Sequence, residues 1–151
     1  MLKYCADENA LMRIAANLAK KIEEGAIIFL QGPLGAGKTT FVRGFLQSLG
    51  YKDAVKSPTY TLVESYALEN KMIYHFDFYR IQDSAELDFI GLQDYFYPAA
   101  ICLIEWPELG KGKLPTPDIS CYIEPVSNGR QLTLKAYTAR GEQWMNNEID
   151  F

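Results

Sequence analysis

Positive charge, cysteine, histidine and long apolar runs are all scarce in this chain, and each scarcity removes a class of function. Fifteen Lys and Arg residues stand against 19 Asp and Glu, a formal net charge of −4. That balance argues against a surface built to grip a nucleic-acid backbone, leaving open a local basic patch or a partner that holds the RNA or DNA instead. No apolar run approaches the roughly 20 residues needed to span a bilayer, which argues against a membrane role. The three cysteines, Cys5, Cys102 and Cys121, are odd in number and widely spaced, without a metal-ligand pattern. Free thiols and the lack of a secretory leader point to a reducing cytosol, and Cys102, inside an apolar run, reads as core. The single histidine, His75, alternates within a strand pattern, which favours a structural over a catalytic role.

What the chain does hold is concentrated between Ala26 and Leu49. Gly32-Pro33-Leu34-Gly35-Ala36-Gly37-Lys38-Thr39-Thr40 has the spacing of a phosphate-binding loop: a glycine, four residues, then Gly-Lys-Thr. Ala26 to Leu30 ahead of it is an apolar run suited to a strand buried on both faces. Behind it, Phe41, Val42, Phe45, Leu46 and Leu49 recur at helical spacing. Gly32, Gly35 and Gly37 permit a tight turn whose N–H groups, Ala36 included, point inward as an anion nest. The positive end of the following helix adds to the attraction. Lys38 is a mobile point charge for the β- and γ-phosphates, Thr39 offers a hydroxyl to Mg²⁺, and Thr40 one to the α-phosphate.

The 151 residues, 48% of them apolar, suit one domain with a sizeable core. Leu2 to Cys5 reads as a short edge strand, and Asp7 as the N-cap of a packing helix running to about Glu24. Asn9 in that helix is a candidate adenine contact. Thr61–Tyr66 and Met72–Arg80 form an expected hairpin across a Glu69-Asn70-Lys71 turn, and Asp83 with Glu86 opens a short helix through Ile90. Ala100 to Glu105 is a second apolar strand, this one ending in a carboxylate. Ile119–Pro125 and Gln131–Thr138 read as strands joined at Ser127-Asn128-Gly129, and a short helix is expected from Gly141. The fold expected is α/β, a P-loop NTPase-like three-layer sandwich with a mostly parallel sheet and added antiparallel strands.

Two carboxylates compete for the metal. Glu105 ends a fully apolar strand; Asp77 ends a less uniform one. With a phosphate loop in the same chain, both are expected to face the γ-phosphate, one holding Mg²⁺ and one serving hydrolysis, and spacing does not say which is which. Thr59 lies where switch segments sense the γ-phosphate, although the residues alone favour a plain Pro-Thr turn. Trp106 reads by default as core, with an adenine contact, a partner contact or a movable cover left open. Arg80, Arg130 and Arg140 are equal candidates for phosphate ligation. The guanine-specifying Asn-Lys-x-Asp is missing, since Asn70-Lys71-Met72-Ile73 lacks the aspartate, and this leans towards ATP. The Ser-Gly-Gly-Gln of transporter ATPases and an arginine-rich kinase lid are missing too.

Taken together, Gly32 to Thr40, Ser57-Pro58-Thr59-Tyr60-Thr61-Leu62-Val63-Glu64, His75-Phe76-Asp77-Phe78-Tyr79-Arg80 and Leu103-Ile104-Glu105-Trp106-Pro107 resemble the bacterial TsaE (YjeE) family, in the family's order. Glu86 to Gly91 and Asp94-Tyr95-Phe96 are similar to its central helical region. The resemblance implies a small cytoplasmic Mg²⁺-dependent ATPase needed for threonylcarbamoylation of adenosine next to the anticodon. Its partners would be TsaD- and TsaB-like proteins, with tRNA met only through their complex. It implies that Lys38 and Thr39 bind phosphate and Mg²⁺, that Asp77 and Glu105 serve metal and hydrolysis, and that Thr59 lies in a switch-like loop. Trp106 falls in the Glu-Trp-Pro block and joins Asn9 and Arg130 among the nucleotide-contact candidates. No arginine finger is evident, so weak hydrolysis alone and stimulation by partners are expected. A small-molecule kinase and a non-catalytic nucleotide sensor are the alternatives.

Overall fold

Residue alternation along the central strands sorts the apolar side chains onto two faces of one sheet. In the computed structural model, which describes residues 1–146, β2 (Ala26–Gln31) lies between β5 (Ile101–Glu105) and β6 (Ile119–Val126), parallel to both. β4 (Lys71–Asp77) continues the parallel set beside β5. Antiparallel strands finish both sides: β3 (Val63–Leu68) against β4, then β7 (Gly129–Ala136) and β1 (Leu2–Cys5) beyond β6. The order across the seven strands is β1-β7-β6-β2-β5-β4-β3. This is the expected α/β architecture, parallel at its centre and antiparallel at its margins.

One face carries the helical layer. Ile28, Leu30, Ile101 and Leu103 meet α1 (Glu8–Lys21) through Leu11, Ile14 and Leu18, and α2 (Lys38–Ser48) through Phe41, Val42, Phe45 and Leu46. A fully buried Phe or Leu contributes roughly 1.5–3 kcal/mol, which outweighs the ~1 kcal/mol that Gly44 costs inside α2. Packing therefore holds α2, and with it the loop that α2 follows. Cys102, Ile104, Phe76 and Phe78 point to the opposite face, under a thinner cover of short 3₁₀ segments at 84–90, 92–95 and 107–110. The Asp83–Glu86 capping box is present, but the segment it opens winds as a 3₁₀ helix and stops at Gly91. All three cysteines are free and buried, and burial pushes the Cys102 thiol up to about 12.

Element ends shift from expectation for local reasons. Asp7 caps α1 by accepting from the Ala10 amide at 2.8 Å, but the helix ends at Lys21, where Ile22 turns extended. β3 starts two residues late because Leu62 has φ +69°. β4 ends at Asp77, whose carboxylate accepts from the Tyr79 amide and turns the chain. The β6–β7 turn is two residues long, with Asn128 at φ +64°, so β7 begins at Gly129. α3 (Ala139–Asn146) supplies the C-terminal helix; the rest of the tail lies outside the described residues. Among the described residues, no helix is long and apolar enough to cross a membrane.

Candidate functional site

The chain leaves β2 at Gln31, turns through Gly32 to Gly37, and enters α2 at Lys38. Gly32 has φ +142°, and a Cβ there would sit 2.1 Å from the Ile123 carbonyl oxygen. Gly37, the N-cap, has φ +117°, and its Cβ would meet Leu11 at 2.7 Å. Backbone alone fits these positions, which leaves main-chain amides at the helix start to face an anion. Arg130, from β7, donates Nε–H to the Ala36 carbonyl at 2.8 Å and a terminal N–H to the Gly35 carbonyl at 3.4 Å. It braces the loop from the side.

Opposite the loop, parallel pairing of β4 with β5 puts Asp77 directly beside Glu105. Both side chains are buried. The Thr39 hydroxyl, in the first turn of α2, donates towards Glu105 Oε2 at 3.2 Å. His75 Nε2 lies 2.6 Å from the same oxygen. Asp77 accepts from the Thr59 hydroxyl at 2.9 Å and from the Tyr79 amide at 2.9 Å. Thr59 reaches it because the segment from Ser57 to Leu62 folds back, Leu62 N–H onto the Pro58 carbonyl and Asp77 N–H onto the Leu62 carbonyl. Ser57 bonds Thr59 at 2.8 Å. Among the described residues, neither carboxylate has a Lys or Arg within ion-pair distance.

Lys38 is almost wholly buried, its ammonium donating to the carbonyls of Gly32 at 2.6 Å and Pro33 at 2.8 Å. Burial lowers its pKa, opposed by the charges of Glu105, Asp77 and Glu108. Trp106 covers it, ring centroid 4.4 Å from Nζ, and Tyr79 packs tilted against that ring at 5.2 Å. The indole is held there by an unusual backbone, φ +57° and ψ +47°. Trp106 thus packs on the core of the thinner face, as expected, and also forms a wall of the cleft.

The loop from Gly35 to Thr40, Thr59, Asp77, Glu105, Trp106 and Arg130 line one cleft of about 710 Å³ together with Asp7, Glu8 and Leu34, while Gly32 and His75 lie behind its wall. Asn9 does not line it; it borders a shallower depression between α1 and α2 with Met12 and Gly44. Of the three arginines that sequence could not rank, Arg140 is spent on Asp118 at 2.8 Å and Arg130 on loop carbonyls. Arg80 stacks on Tyr60 at 4.1 Å while donating to its hydroxyl. Sequence reasoning passed over His75, Tyr79, Asp7 and Glu8. For His75 a signal existed: it precedes Asp77 by two residues, and in a strand such residues share a face.

The oxygen set of Thr39, Glu105 and Asp77 suits a hard divalent cation. Among the described residues, no group of three or more His, Cys, Asp and Glu forms a closed metal cage. Chemically, the arrangement can seat a polyphosphate on amides and place acceptor oxygens across from its end.

The match to known proteins agrees with this geometry. The family model described as threonylcarbamoyl adenosine biosynthesis protein TsaE matches residues 5–132. A Haemophilus influenzae protein named tRNA threonylcarbamoyladenosine biosynthesis protein TsaE is 46% identical over 147 residues, covering 94% of this chain and 93% of that one. The Bacillus subtilis protein of the same name is 36% identical over 137 residues, 90% and 84% of the two chains. The crystal structure of Bacillus subtilis YdiB superposes with TM-score 0.82 at 29% identity, covering 96% of this chain and 90% of that one. The chain belongs to the TsaE family.

Proposed function

We propose that the cleft binds ATP with Mg²⁺ and hydrolyses it, in support of a TsaB–TsaD complex that forms threonylcarbamoyladenosine next to the anticodon of tRNA. The observation that carries this reading is the in-register pair Asp77 and Glu105 facing the phosphate loop, with Thr39 3.2 Å from Glu105. Relatives of 46% and 36% identity bear tRNA threonylcarbamoyladenosine biosynthesis in their names. In this reading the acidic chain leaves the tRNA contact to its partners and works beside them in the cytoplasm.

The loop amides from Gly32 to Thr40 receive the phosphates, and Lys38 exchanges the carbonyls of Gly32 and Pro33 for β- and γ-phosphate oxygens. That exchange uncovers Lys38 from Trp106, so the indole shifts as the triphosphate seats. Arg130 keeps the loop in shape throughout. Thr39, with Glu105 and Asp77 nearby, would hold a Mg²⁺ ion, which when bound would neutralise charge developing on the phosphates. The two carboxylates orient the attacking water, one of them receives its proton, and Thr59 fixes the direction of Asp77.

Titration calorimetry with ATP and ADP in magnesium buffer, then phosphate release with and without TsaB and TsaD, tests the proposal. Micromolar nucleotide binding with slow release alone and faster release with partners is expected. Uptake of neither nucleotide overturns it, and so does fast release unaffected by partners. Phosphate appearing on a small-molecule acceptor would favour a kinase, and binding without hydrolysis in any mixture a sensor.

A further inference from the structure

We infer that His75 is the positioning residue that sets the orientation of Glu105, an inference resting on the hydrolytic reading of the cleft above. His75 is fully buried in the middle of β4, at 0% exposure. A polar ring at such a position costs free energy unless it is used. Its Nε2 is used: it lies 2.6 Å from Glu105 Oε2, the shortest side-chain contact of that carboxylate. Its Nδ1 has no partner at all. Of the two tautomers, the one with the proton on Nε2 leaves only a bare lone pair at Nδ1. The other would bury an unpaired N–H and set a lone pair against a carboxylate, which only accepts.

The consequence lies at Glu105. Oε2 receives both His75 and, at 3.2 Å, the Thr39 hydroxyl, whereas Oε1 has only Thr39 at 3.5 Å. One oxygen is tied back into the sheet and the other is left for chemistry in the cleft. His75 sits opposite Leu103, two residues before Glu105 on the neighbouring strand, so a rigid ladder, rather than a loop, sets the aim. Asp77 has no such partner; its second oxygen takes the Tyr79 amide. Glu105 is thus aimed by a side chain of the neighbouring strand, whereas Asp77 is held by the Thr59 hydroxyl and the Tyr79 amide.

His75→Gln keeps an N–H near the Nε2 position, while His75→Phe fills the volume without one. For His75→Phe, kcat with TsaB and TsaD present should fall about 10- to 100-fold, with nucleotide Kd within twofold of wild type. His75→Gln should recover most of that loss at a similar melting temperature. His75→Phe with wild-type kcat overturns the inference, as does a pair of variants whose rates follow their melting temperatures alone. The wild-type protein, whose single histidine makes assignment unambiguous, supplies a second readout: ¹⁵N resonances of the imidazole without nucleotide. A proton on Nε2 whose resonance moves in Glu105→Gln is expected; an unprotonated Nε2, or no movement, overturns it. A wild type that hydrolyses no ATP sinks the proposed function instead, and the tautomer then decides the His75–Glu105 bond by itself.

Discussion

The two ends of the parallel strands carry buried acids of opposite character. At the end where the strands begin, Asp118 accepts from Arg140 Nε and a terminal N–H at 2.8 Å each, from the Thr138 hydroxyl at 2.7 Å and from the Ile27 amide at 2.8 Å. Burial alone would raise that carboxyl; these bonds outweigh it and hold it below the usual carboxylate range. At the end where the strands finish, Glu105 and Asp77 are equally buried, yet their partners are hydroxyls, an amide and one imidazole. The nearby cation, Lys38, faces loop carbonyls instead. A saturated acid ties β6 and α3 to β2, whereas an unsaturated pair keeps capacity for a ligand that brings its own charge.

Glu105→Gln gives the widest separation between the two ends. Hydrolysis should fall by on the order of 10²–10⁴, while nucleotide affinity changes little and the melting temperature holds or rises. A clear drop in melting temperature would put Glu105 in the same class as Asp118. Lys38→Ala comes next, with ATP affinity lower by about 100-fold, the loss of charge-assisted phosphate bonds. Equal calorimetric affinity in both proteins would remove Lys38 from the phosphate site.

Asp118→Asn should do the reverse, costing about 2 kcal/mol in urea unfolding with unchanged nucleotide affinity; Arg140 stays half in solvent, so the effect is below the roughly 3–5 kcal/mol of a fully buried pair. Because the folded pKa is depressed, the Asp118 contribution is present in full above the ordinary value of about 3.9 and is lost as pH falls through the lower folded value. Wild-type stability should decline across that acid window more steeply than that of Asp118→Asn; parallel curves would contradict the assignment. The smallest effect is Thr59→Val, which frees Asp77 Oδ2 and should slow hydrolysis by about fivefold, roughly 1 kcal/mol, without moving unfolding. A shift in melting temperature there would mean that the Ser57–Leu62 segment supports the fold rather than the site.

Legibility followed contiguity. The strand, loop and helix from Ala26 to Ser48 are all consecutive, so glycine spacing and apolar period revealed them together. Both acids were visible as strand-end carboxylates, but their adjacency needed the β4–β5 register, which no local pattern encodes. Strand ends slipped where one residue overrode propensity: Leu62 at positive φ, and the Asp77 carboxylate capturing the Tyr79 amide. The arginines could not be ranked because their partners lie 20 or more residues away, Tyr60 for Arg80, Ala36 for Arg130 and Asp118 for Arg140. Trp106 read as core, and it does pack on the core of the thinner face, but its contacts with Lys38 and Tyr79, which make it a wall of the cleft as well, come from distant parts of the chain.

By itself, then, the sequence determined the local chemistry: which stretch curls into an anion nest, which strands are buried on both faces, and which residues end them with a carboxylate. Those depend on backbone freedom and side-chain period within a few residues. Only the tertiary structure decided that His75 grips Glu105, that Thr59 reaches Asp77, and that Asn9 faces away from the cleft. Those outcomes depend on strand order, register and helix rotation, which come from packing across the whole sheet and have no expression in any short segment of the chain.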